Sequence, residues 1–234
     1  MAIATVKAKA TATPMDDLAA WQRLLLWFSP AFPIGGFGWS GGLESAIAAG
    51  RVRDRLGMGH WLDGLLHAGG PRNDAILLAH AWRRHDDEAM LAELSELSLA
   101  FISAPSRRME SEQMGQAFSR SAETWRGLVP PPLPTPCPFP IALGAWAARG
   151  GIGLGESLAG WLGLAAQGQI SVGIRLIPLG QSDGLALLAD LEETITRLSR
   201  QYAQAGLDQL GGIAQAADMD ALSHATLKTR VFRS

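Results

Sequence analysis

SPAFPIGGFGWSGGLE, residues 29–44, is the stretch of sequence that separates the possible folds and functions of this chain. It holds five glycines, two prolines and three aromatic residues, with no charge before Glu44. Residues 36–41 match GxGxxG, a pattern typical of dinucleotide-binding turns. Residues 38–42 match GxSxG, the pattern of a nucleophile elbow with Ser40 as the nucleophile. A third interpretation is a shaped surface between helices, where glycines permit close backbone approach.

Both catalytic patterns require a β-strand directly before the glycines. Pro30 and Pro33 precede them here, and each removes a backbone donor that a central strand would need. No second strand–helix unit follows, which disfavours dinucleotide binding. A serine hydrolase using Ser40 stays an alternative, because acidic residues and His224 follow Ser40 in the order found in hydrolases.

The rest of the chain favours an all-α fold. Alanine and leucine together number 70, against 17 valines and isoleucines, whereas strand-rich chains favour β-branched residues. Apolar residues recur every three or four positions, which predicts a single domain of roughly eight to ten helices. The clearest helices are predicted over residues 14–28 (capped by Thr13), 53–68, 71–85, 91–101, 105–125 and 182–202, the last capped by Ser182 or Asp183.

Two further stretches organise the chain. Residues 157–174 carry no charge and match the length of a membrane span, but their glutamines, serines and glycines predict a helix buried in a protein core. Residues 130–140 contain seven prolines and predict an extended crossover between two groups of helices. The expected organisation is a flexible leader over 1–13, an all-α domain over 14–223 and a partner-binding tail over 224–234.

Composition narrows the functional classes. The formal net charge of −2 and 18% charged residues give no basic stripe for nucleic acid. The single cysteine, Cys137, excludes an intrachain disulfide. Residues 1–13 lack the apolar region of a secretory signal, so the expectation is a cytoplasmic protein with no membrane partner.

A weak metal-site candidate lies in the predicted helix over 53–68. His60, Asp63 and His67 stand at i, i+3 and i+7, so a helix places them on one face, where three ligands could meet. The alternative is an ordinary half-exposed amphipathic face. A helical metal-binding module is therefore a further alternative function.

Residues 175–184, RLIPLGQSDG, form a second unusual segment. Arg175 either caps the carbonyls of the preceding helix or pairs with Asp183, making a polar hinge. Arg175, Gln181 and Asp183 could equally line an interior passage.

Residues 228–234, KTRVFRS, are basic and aromatic. Phe232 stands between Arg230 and Arg233, and arginine and aromatic residues are enriched in interface hot spots. A tail that becomes ordered on binding a partner would fit this composition.

Taken together, these segments resemble the UreF family of urease accessory proteins. The resemblance covers most of the chain from about residue 24 onward. It rests on five blocks in the family's order: residues 29–44, a helix motif at Arg108, Ser111, Met114 and Gly115, residues 139–144, residues 174–184, and residues 224–234. Departures occur at Gly38, Gly41, Pro138, Ala225, Lys228 and Thr229, and the family's histidine-based metal handling does not carry over to them.

The resemblance implies a non-enzymatic scaffold or chaperone that forms a homodimer. Its implied partners are a UreD/UreH-type accessory protein, a UreG-type GTPase and the urease apoprotein, with nickel handled by the complex and no permanently bound cofactor. The partner-binding residues expected from the resemblance are Phe37, Trp39, Glu44, Arg230, Phe232, Arg233 and Ser234.

Overall fold

The computed structural model describes residues 14–234, with side chains from Leu18 onward. The predicted leader over 1–13 and the Thr13 cap lie outside the described residues. The α-helices are α1 (Pro14–Trp27), α2 (Leu43–Ala48), α3 (Arg55–Ala68), α4 (Gly70–Arg83), α5 (Glu88–Ala100), α6 (Pro105–Ala122), α7 (Phe139–Arg149), α8 (Leu154–Leu176), α9 (Gln181–Asp190), α10 (Glu192–Tyr202) and α11 (Gln215–Ser223). Single 3₁₀ turns cover Gly36–Gly38, Leu207–Gln209 and His224–Thr226. Residues 14–234 contain no β-strand, and the predicted all-α fold is confirmed.

The centre of the fold is the packing of α7 against α4 and α6. A Cβ on Gly144 of α7 would lie 2.5 Å from the carbonyl oxygen of Leu78 in α4, so glycine lets these two helices touch backbone to backbone. A Cβ on Gly115 of α6 would likewise collide with the carbonyl oxygen of Cys137, just before α7. These close approaches hold α7 in the middle of the core.

Aromatic side chains join α1 to this centre. The ring of Trp27 in α1 meets Phe118 of α6 edge-on at 5.8 Å and Trp146 of α7 at 6.3 Å. All three side chains are almost fully buried. Edge-to-face geometry is the favourable arrangement for such pairs, so this cluster fixes the position of α1.

The proline-rich stretch connects α6 to α7, as predicted. It is irregular from residue 128 to residue 138, and α7 begins at Phe139 with Pro140 in its first turn. Proline is tolerated there because the first turn of a helix has no intrahelical partner for its N–H groups. The uncharged stretch 157–174 lies within α8 and contributes Trp161, Leu162 and Ile170 to the core. Among the helices of residues 14–234, none has both the length and the apolar character needed to cross a bilayer.

The prediction of a single helix over residues 182–202 is wrong. The chain turns at Leu191, ending α9 and starting α10. The turn lets both helices bury apolar side chains, Leu187 from α9 and Leu198 from α10, with Leu191 itself 8% exposed between them. Periodicity did not reveal the break because the apolar spacing continues through it.

Candidate partner-binding surface

The tail, residues 224–234, lies against residues 29–44 of the same chain. The backbone N–H of Arg233 donates to the carbonyl of Gly38 at 2.8 Å, and the N–H of Ser40 donates to the carbonyl of Ser234 at 2.9 Å. The Ser40 hydroxyl donates to that same carbonyl. We call this contact between the two segments the tail junction.

Glu44, at the start of α2, anchors the tail junction. Its Oε1 accepts from the backbone N–H of Val231 at 2.6 Å, and its Oε2 accepts from the N–H of Phe232 at 3.1 Å. Nε2 of His224 lies 2.8 Å from Oε2. The side chains of Glu44 and His224 are only 7% and 1% exposed. Both carboxylate oxygens are therefore used inside the chain.

Glycine allows α2 to reach α11 beside this anchor. Gly42 has φ +91°, and a Cβ there would lie 2.7 Å from the backbone nitrogen of Ala221 in α11. Only glycine combines that backbone angle with so close an approach. The structure thus supports the interpretation of residues 29–44 as a shaped contact surface.

The end of the tail alternates between inward and outward side chains. Phe232 and Ser234 are buried, whereas Val231 and Arg233 are exposed, as in an extended chain with a two-residue repeat. The guanidinium of Arg175 lies 4.4 Å from the centre of the Phe232 ring, and that of Arg233 lies 4.4 Å from the centre of the Trp39 ring. These cation–π contacts cover the junction from outside.

The outward side of the junction is apolar and basic. Phe37 is 58% exposed and Val231 is 65% exposed. Arg175 connects the two segments, since its guanidinium donates to the Phe37 carbonyl at 3.3 Å. We define the junction patch as these exposed residues together: Phe37, Arg175, Arg230, Val231 and Arg233.

The predicted partner-binding residues fall into two groups. Phe37, Arg230 and Arg233 are exposed on the junction patch. The other four lie inside the tail junction and position the first group: Trp39, Glu44, Phe232 and Ser234. Sequence reasoning placed Glu44 toward a partner, whereas the structure buries it against the tail. It named His224 only as a residue that follows Ser40 in hydrolase order, and it gave Val231 no role of its own within the tail, because a lone histidine and an isolated valine carry no periodic signal.

Ser40 is a structural hydrogen-bond donor in this arrangement. Its side chain is fully buried, and its hydroxyl is directed at the Ser234 carbonyl. His224, the candidate base, contacts Glu44. The strand required before a nucleophile elbow or a dinucleotide turn is absent from residues 14–234, so neither pattern has its structural context.

The segment 175–184 matches the capping interpretation. Arg175 Nε donates to the carbonyl of Ser171 one turn earlier at 3.1 Å, and Arg175 forms no ion pair with Asp183 in the described part of the chain. Asp183 instead accepts from the N–H of Gly180 at 3.2 Å and caps the start of α9. Arg175 and Gln181 also line a cavity of about 590 Å³.

The three metal-site candidates do not form a site. His67 Nδ1 lies 3.2 Å from Asp63 Oδ1, but its Nε2 lies 2.9 Å from the guanidinium of Arg197. A guanidinium at that nitrogen excludes a metal ion there. Across the residues that the structure describes, no three histidine, cysteine or acidic side chains are grouped to hold a metal.

Comparison with known proteins assigns the family. The UreF family model matches residues 52–192. The urease accessory protein UreF of Agrobacterium fabrum is 44% identical over 219 residues, covering 94% of this chain and 98% of the relative. The proteins of the same name from Rhizobium etli (43% identical, 93% and 98% covered) and Cereibacter sphaeroides (42% identical, 92% and 99% covered) are similar at comparable lengths. The chain therefore belongs to the UreF family of urease accessory proteins.

Proposed function

We propose that this chain is a non-catalytic scaffold that assembles with a UreD/UreH-type accessory protein and a UreG-type GTPase to help insert nickel into urease. The family assignment supports a role in urease maturation. The observation that carries the partner assignment is the junction patch. The junction patch is the surface that binds the UreD/UreH-type protein.

The composition of the junction patch suits protein recognition. It places an exposed phenylalanine and an exposed valine among three arginines, and hot spots favour aromatic residues and arginine over other surface residues. The tail backbone at Val231 and Phe232 is held by the buried Glu44 anchor, so little ordering entropy of the tail remains to be lost on binding. The patch is thus both chemically suitable and preorganised.

Two valines of equal exposure give a matched test. Val231 lies on the junction patch and is 65% exposed, whereas Val129 lies before the proline-rich crossover and is 66% exposed. Each is changed to aspartate and co-expressed with the UreD/UreH-type protein. We expect Val231→Asp to reduce co-purification at least tenfold, because a carboxylate is then desolvated in an apolar contact. Val129→Asp should co-purify like the unchanged chain.

Deletion of residues 230–234 is a second test. We expect it to abolish co-purification while the helical circular dichroism is retained, because α1–α11 all end before residue 224. Equal binding by Val231→Asp and Val129→Asp, or retained binding after the deletion, would refute the assignment of the patch.

A homodimer is part of this proposal. Leu18, Trp21 and Leu25 lie at i, i+3 and i+7 on α1 and are 64%, 55% and 71% exposed. Such spacing places them on one helix face, and a contiguous apolar face of this kind is usually covered by another protein. We assign this α1 face to contact with a second copy of the chain.

A further inference from the structure

A cavity of about 590 Å³ lies beside the tail junction, between α4, α6, α8, α9 and α11. Its volume is within the range of small-molecule sites. Phe37, Phe101 and Leu185 line it and are 58%, 41% and 70% exposed, so they stand where it opens to solvent. Trp39, Phe139 and Trp161 line its buried part.

Charged groups from four helices face this space. They are Asp74 of α4, Arg107 and Glu110 of α6, Arg175 of α8 and Asp218 of α11. Arg107 forms an ion pair with Glu110. Arg175 is engaged by two backbone carbonyls and the Phe232 ring. Neither Asp74 nor Asp218 forms an ion pair within 4 Å among the described residues, although the Arg107 guanidinium acts electrostatically on both carboxyl groups.

Burial in this cavity disfavours the ionised forms of the two aspartates. Burial raises the pKa of Asp74 to about 7, although Arg107 acts to lower it, and Glu110 raises it further. Burial also raises the pKa of Asp218 above its usual value, although Arg107 acts to lower it. An ionised carboxylate in a recessed apolar site is stabilised by a cation placed beside it. Such a cation would offset the cost that burial imposes on both groups.

We propose that this cavity binds an organic monocation with an aromatic or alkyl body, its ammonium or guanidinium group beside Asp74 and Asp218. Trp161 also lines the cavity, and its aromatic ring attracts positive charge. The apolar body occupies the part of the cavity lined by Phe139, Ile170 and Leu188. A free amine and a basic side chain from another protein share this chemistry.

Three small probes of one shape test the proposal: phenethylamine, 2-phenylethanol and phenylacetate. Binding to the full chain is followed by saturation-transfer NMR titration. We expect phenethylamine to bind at least tenfold more tightly than the neutral or anionic probe. Titration of Nα-acetyl-lysine amide beside phenethylamine distinguishes a protein side chain from a free amine as the preferred source.

The pH dependence provides a test that needs no variant. A carboxyl with a pKa of about 7 is about 9% ionised at pH 6 and about 91% ionised at pH 8. Phenethylamine remains protonated over this range, so we expect its affinity to rise about tenfold from pH 6 to pH 8. The affinity of 2-phenylethanol should stay constant.

The matched variants are Asp74→Asn and Asp86→Asn. Asp86 is exposed and does not line the cavity. We expect Asp74→Asn to lose the preference for phenethylamine and its pH dependence, and Asp86→Asn to retain both. Equal binding of all three probes, no binding of phenethylamine, or an affinity independent of pH would overturn the proposal.

Discussion

Replacing Glu44 with alanine removes the shared acceptor of the tail junction. The backbone N–H groups of Val231 and Phe232 and the imidazole of His224 all lose their partner. At about 1 kcal/mol for each hydrogen bond, the free energy that holds the tail against residues 29–44 falls by about 3 kcal/mol. The cost appears as local opening rather than global unfolding, because the tail can move into water while α1–α11 remain packed.

Amide hydrogen exchange measures this opening directly. A change of about 3 kcal/mol corresponds to a rise of about a hundredfold in the opening equilibrium. We expect the amides of Val231 and Phe232 to exchange about a hundredfold faster in Glu44→Ala. Amides in the middle of α4 and α7 should exchange at unchanged rates.

Two further variants separate the role of the carboxylate from the effect of any substitution. Glu44→Gln keeps the shape but only one acceptor oxygen, so it should show a partial increase in exchange. Glu93→Ala removes an exposed carboxylate on α5 and should leave the tail unchanged. Tail exchange in Glu44→Ala within threefold of the unchanged chain would refute the anchor.

Three other predictions concern stability and assembly. Gly144→Ala should lower the free energy of unfolding, measured in urea, by about 1 to 3 kcal/mol, because the added Cβ overlaps α4. Gly64→Ala should be neutral or stabilising, because nothing lies within 4 Å of its added Cβ. Equal changes in stability from the two substitutions would contradict the close packing of α7 on α4. Asp74 binds its proton more tightly when folded, so its contribution to stability is present at low pH and is lost as pH rises from about 4 to about 7. The free energy of unfolding of Asp74→Asn, measured relative to that of the unchanged chain, should therefore rise by about 2 to 3 kcal/mol from pH 5 to pH 8. If urea titrations gave the same difference between the two proteins at both pH values, this prediction would be refuted. Leu25→Glu should shift the proposed dimer toward monomer in light scattering, whereas Leu56→Glu, on α3 with a similar 69% exposure, should not; a dimer that survives Leu25→Glu would remove α1 from the interface.

The helices could be predicted because their signals are local. Proline at positions 14, 105 and 140 lies at the start of α1, α6 and α7, and leucine spacing marks α3 and α5. The break at Leu191 was missed because it depends on which neighbours α9 and α10 pack against. Local spacing contains no information about that choice.

The candidate site was predicted in outline but not in orientation. Residues 29–44 and 224–234 were both expected to form contacts, and Arg230 and Arg233 do lie on an exposed face. Glu44 was expected to face a partner because it is the first charged residue after the glycine-rich loop. It is buried because two backbone N–H groups and His224 satisfy its oxygens, and those groups are supplied from about 180 residues away.

The sequence by itself determined the all-α class, the position of most helices, the proline-rich crossover and the family. These depend on residue spacing and on motifs, each of which can be recognised within one short segment of sequence. Only the tertiary structure decided that the tail lies on residues 29–44, that Phe232 points inward while Val231 points outward, and that Asp74 and Asp218 share one cavity. The reason is that a side chain's burial, hydrogen-bond partners and pKa depend on distant segments that only folding brings together.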